Sequence, residues 1–87
     1  MVYVARTLFM PSGEELSQKV VYVDGCRVVS VTDFIAEVQS MILVDEMYIA
    51  ASDSLSTMDD IYKEAHSLNG PLYAYSADSS GNLSLLG

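Results

Sequence analysis

Residues 19–31 read KVVYVDGCRVVSV, two runs of β-branched and aromatic residues on either side of an Asp24-Gly25 pair. Val20, Val21, Val23, Val28, Val29 and Val31 favour a pleated backbone, because branched side chains are stiff at χ1 and pack well on a sheet. Asp24 and Gly25 tolerate the positive φ that both central residues of a type I′ turn require. The stretch predicts a two-residue hairpin centred on Asp24-Gly25, and with it a sheet as the main frame of the chain.

Working outward, Val2, Tyr3, Val4, Leu8 and Phe9 predict a preceding strand that Pro11, Ser12 and Gly13 end by turn chemistry. Glu14 and Glu15 are expected in the loop that follows. Downstream, residues 32–40 (TDFIAEVQS) lead to Met41. Phe34, Ile35, Val38 and Met41 fall on one helical face with Thr32 as a candidate cap, yet the segment holds at most two turns, so a short helix and an irregular crossover both fit. Residues 41–51 (MILVDEMYIAA) read as one long strand, with or without a bulge, or as two short ones broken at Asp45-Glu46; a tight turn there would lack Gly or Asn, which favours the single strand. The acidic pair is expected beside a sheet edge, where charge discourages strand addition.

Residues 54–69 predict a helix: Met58, Ile61, Tyr62, Ala65 and Leu68 recur at three- and four-residue steps and form an apolar stripe. Ser56 with Asp59, or Thr57 with Asp60, supplies a capping-box-like start, and both aspartates suit the positive end of the helix dipole. Asn69, Gly70 and Pro71 end it. Two last strands, 72–76 (LYAYS) and 83–86 (LSLL), flank the turn-rich Asp78, Ser79, Ser80, Gly81 and Asn82, with Tyr73 and Tyr75 on one strand face. The expected fold is α+β: a mostly antiparallel sheet of five or six strands with the amphipathic helix 54–69 packed on it, in a single domain over residues 1–87.

Composition narrows the function. Twelve acidic against four basic side chains give a net charge of −8, while 51% of the 87 residues are hydrophobic and 18% charged. That much apolar surface excludes a disordered acidic tail. The charge repels phosphate and anionic lipid, so neither nucleic acid nor a membrane is the expected partner. Apolar runs such as Met41 to Val44 are far short of the roughly 20 residues that span a bilayer. A lone Cys26 cannot form an intramolecular disulfide, which predicts a reducing, cytoplasmic setting.

Each chemistry-bearing residue type has a plainer explanation. Nucleophilic catalysis would pair Cys26 with His66, the one histidine, but neither lies in a recognisable catalytic signature. The DSLSTMDD stretch at 53–60 and the DSSGN stretch at 78–82 faintly resemble calcium loops and lack their ligand spacing, so a cap and a turn explain them. Asp45 and Glu46, neighbours on a strand, point to opposite faces and cannot share a site. The five glycines form no phosphate-binding loop. No catalytic, cofactor-binding or metal residue is therefore assigned.

Residues 20–33 (VVYVDGCRVVSVTD), followed by 41–51, are similar to the small β-rich accessory domain of the amidohydrolase superfamily. There a hairpin of the form apolar strand, D-G-R-I, apolar strand precedes the metal-dependent barrel. Asp24, Gly25, Arg27, Val28 and Val29 match that pattern, with Cys26 inserted between Gly25 and Arg27. The catalytic barrel and its His-x-His motif are absent, so the resemblance implies a β-domain of similar shape and no activity.

The expectation that follows is a non-enzymatic, cytoplasmic interaction or accessory module whose partner is another protein or a second copy of the chain. Two alternatives stand beside it: a small-ligand binder or enzyme centred on Cys26 and His66, and an acidic DNA mimic that occupies a basic groove.

Overall fold

A computed structural model describes residues 1–34, 41–63 and 70–87. Along the chain run β1 (Val2–Phe9), β2 (Glu15–Asp24), β3 (Arg27–Asp33), β4 (Met41–Ala50), α1 (Met58–Lys63), β5 (Tyr73–Ala77) and β6 (Leu83–Leu85). The six strands form one sheet in the order β3-β2-β1-β4-β5-β6, and a further pairing of Arg27 with Tyr73 brings β3 against β5. Every pairing is antiparallel except β1 with β4, which run parallel from Val2 beside Met41 to Phe9 beside Tyr48. A parallel pair needs a long crossover. Here the β2–β3 hairpin and the chain up to Met41 supply it.

The hairpin forms one residue later than its sequence predicts. Asp24 pairs with Arg27, so the turn residues are Gly25 and Cys26, with φ of +56° and +74°. Core packing explains the shift: Val21 and Val23 point into the core with Val28 and Val31 packed beside them, and a slip of one residue would turn a strand inside out. The register is completed by a bulge. Val23 pairs with Val28 and Tyr22 with Ser30, which leaves Val29 as the extra, 66% exposed residue. β2 also begins earlier than predicted, at Glu15, because Phe9 and Leu8 of β1 pair with Glu15 and Leu16.

The α+β arrangement is overturned. The helical part of the described residues is the six-residue α1, in place of a helix over 54–69 lying as a layer on the sheet, and residues 64–69 are outside the described residues. The physical reason is that the sheet covers itself. Tyr3, Ala5, Val21 and Val23 from one half and Leu8, Met47, Ile49 and Ala74 from the other form a single buried cluster, so no helical layer is needed to bury the inner face. Met58 and Ile61 of α1 pack instead against a second, smaller cluster of Tyr48, Ala50 and Tyr75.

α1 is nonetheless anchored. Asp60 Oδ2 accepts the Ser56 and Thr57 backbone N–H groups at 2.8 and 3.1 Å, so of the two predicted caps the Thr57–Asp60 pair forms. Met58 N donates to Gly81 O at 2.9 Å and Leu83 N to Ser56 O at 2.8 Å, tying the helix start to the β5–β6 turn. In that turn Asp78 Oδ1 accepts the N–H groups of Ser80 and Asn82, both at 2.9 Å. The crossover segment, left open between helix and loop, lies outside the described residues from 35 to 40; Thr32 and Asp33 belong to β3.

Candidate functional site

One row across the three central strands departs from regular pairing. The β1–β2 register passes from Ala5 beside Lys19 to Thr7 beside Ser17, and the β1–β4 register from Ala5 beside Val44 to Thr7 beside Glu46. Arg6, Gln18 and Asp45 fall in the gap. Side chains normally alternate in and out along a strand. In β1, however, Ala5 and Leu8 are both buried in the core, and in β4 Val44 packs on that core while Met47 lies within it. Two successive residues point outward in each strand, and the phase of the alternation reverses. Gln18 carries the strain as a non-glycine at φ +50°.

This common break lets the sheet bend over its own core, and on the outer side it opens a cleft of about 230 Å³. Val4, Phe34, Leu43 and Val44 provide apolar walls, and Arg6, Gln18 and Asp45 line the rest. Phe34 N donates to Gln18 O at 3.1 Å, which holds the end of the β3 segment against β2. Arg6 Nε lies 3.7 Å from Asp45 Oδ1, a long and open ion pair whose side chains are 78% and 85% exposed. Such a pair contributes little to folding. Beside it, Lys19 pairs with Asp33 and holds that carboxyl below the usual carboxylate range.

The same outer face carries exposed apolar side chains. Val4 lies between Val20 on β2 and Leu43 on β4, so these three project to one side. Val4 and Val20 are buried, but Leu43 is 74% exposed, and Tyr22, two residues along the same face, is 40% exposed. On the side of β4 away from β1, the pairing with β5 covers Met47, Tyr48, Ile49 and Ala50. Among the described residues, 41–46 therefore have a strand neighbour on the β1 side alone.

The acidic pair divides its work across this break. Glu46 Oε2 accepts the Tyr48 hydroxyl at 2.7 Å, whereas Asp45 faces Arg6. Residues 41–50 form one strand whose acidic pair sits where the second neighbour is lost, the position at which charge limits edge pairing. What sequence reasoning missed is the coincidence of Arg6, Gln18 and Asp45 in one row. The signal was present in β1 and β4, where apolar alternation fails at Arg6-Thr7 and at Asp45-Glu46.

The structure places Cys26 at the second turn position, partly buried, and His66 lies outside the described residues. Among the described residues no three His, Cys, Asp or Glu side chains converge as metal ligands. Asp60 and Asp78 are held below the usual carboxylate range by backbone N–H groups, of Ser56 and Thr57 for the first and foremost of Asn82 for the second. Among the described residues no helix is long and apolar enough to cross a membrane. Comparison of the chain with models of protein families, with curated proteins and with solved structures finds no match.

Proposed function

We propose that the protein is a non-enzymatic interaction module, working in the reducing setting its single cysteine fits, and that it meets a protein partner through the outer face and open side of β4. Leu43 carries this reading. It exposes 74% of its surface as the third residue of β4, lining the apolar cleft and on the face shared with Tyr22. A lone exposed leucine is ordinary, but a leucine joined to an apolar cleft and an unpaired strand side is the kind of surface that partners cover. The cleft's lining supports binding over catalysis, since its charged side chains, Arg6 and Asp45, are largely exposed and form a long, open ion pair with each other.

A photo-crosslinking amino acid at position 43, introduced in the producing cell, tests the proposal. The expected result is a discrete adduct from position 43 and none from position 53, in the exposed loop after β4. An adduct of twice the chain mass identifies a second copy as the partner, and any other mass a different protein. No adduct from position 43 counts against the reading.

A further inference from the structure

The geometry points to strand addition as the mode of binding: an extended segment with apolar and basic side chains pairs with β4 along residues 41–46. This rests on the reading of β4 as an interaction surface and adds to it the shape and charge of the partner.

Three observations converge. The first is the backbone. β4 has β1 beside it from Met41 to Tyr48 but β5 only at its last four residues, so residues 41–46 offer free N–H and C=O groups on one side among the described residues. Such a row is a template for another strand. The second is the side-chain pattern. The start of this edge, Met41, Ile42, Leu43 and Val44, carries no charge, and Ile42 and Leu43, on opposite faces, are 38% and 74% exposed. An added strand would bury apolar surface on both sides of the sheet. The third is charge. Asp45 is 85% exposed and loosely paired with Arg6 at 3.7 Å, and the chain as a whole carries −8. A lysine or arginine on the added strand answers Asp45 directly, and a basic segment is steered toward the whole molecule. A second copy brings the same carboxylates and the same −8, so the occupant is a heterologous basic strand.

The test uses the full chain and the synthetic peptide acetyl-KVTVKVTK-amide, with backbone amide exchange read residue by residue. The peptide is expected to slow exchange within residues 41–46 by about tenfold or more while leaving β6 unchanged. Two further peptides of the same sequence, N-methylated on alternate residues in the two phases, separate pairing from attraction, because methylation removes the N–H groups along one edge and leaves charge and side chains intact. One phase should lose the protection and the other keep it. Asp45→Asn, at an exposed position, should weaken binding several-fold without altering the fold.

Equal behaviour of both methylated peptides, with all protection lost at about 0.5 M salt, overturns strand addition in favour of general charge attraction. Protection that rises with protein concentration alone, together with a doubled mass in light scattering, overturns the heterologous partner in favour of a second copy. If the crosslinker at position 43 still captures a partner while the peptide leaves β4 unprotected, the surface reading stands and strand addition fails. If neither responds, both fail.

Discussion

At the β2–β3 turn a left-handed conformation falls on two successive residues, and the second is a cysteine. Gly25 at φ +56° has open space around its Cα, so the cost of a side chain there is conformational. Gly25→Val is expected to lose about 1–3 kcal/mol in urea unfolding, because a β-branched residue resists positive φ. Cys26 at φ +74° already bears such a cost, beside Gly87. The double change Gly25→Asn with Cys26→Gly installs the Asn-Gly pair that type I′ turns prefer and should gain about 0.5–1 kcal/mol, seen as a higher urea midpoint with an unchanged slope. The sequence around this turn announced a hairpin, since valines flank turn formers on both sides. It did not announce the register: Asp-Gly and Gly-Cys differ by one residue, and the choice rests with Val21, Val23, Val28 and Val31 packing on strands far away in sequence.

Along β4, neighbouring apolar residues have opposite fates. Met47 is fully buried and Leu43 is 74% exposed on the same strand. Met47→Ala should cost about 2–5 kcal/mol through the cavity it leaves, whereas Leu43→Ala should stay within about 0.5 kcal/mol, both read from denaturant midpoints. That residues 41–50 form one strand was legible, because a tight turn at Asp45-Glu46 would lack Gly or Asn. The edge position of residues 41–46 was legible only as a guess from two acids, because which strand lies beside β4 is decided by non-local pairing. α1 shows the opposite failure. The stripe from Met58 to Leu68 is a sound helical pattern, and Met58 and Ile61 do meet apolar partners. Periodicity measures what an element can bury, however, and the inner face of this sheet was already filled by the bent half carrying Leu8, Met47 and Ile49.

For the molecule as a whole, acidity has a stabilising part. Asp33, Asp60 and Asp78 all titrate below the usual range in the folded chain, held by Lys19 or by backbone N–H groups. A carboxyl whose folded value lies below its unfolded one binds fewer protons when folded, so its contribution is present above the ordinary carboxylate range and is lost as the pH falls through the depressed value. Urea midpoints are therefore expected to hold near neutrality and to drop below about pH 4, and Asp78→Asn should flatten part of that drop. The parallel pairing of β1 with β4 has a consequence in time. Val2 and Met41 lie 39 positions apart, while β2 meets β3 across a two-residue turn. The meander of the first three strands can form early at low entropic cost, and the β4 seam must wait for a long loop to close. Stopped-flow refolding should then run on the order of milliseconds to seconds. Val21→Ala should chiefly slow refolding and Met47→Ala chiefly speed unfolding, so that the last seam to knit is also the first to open.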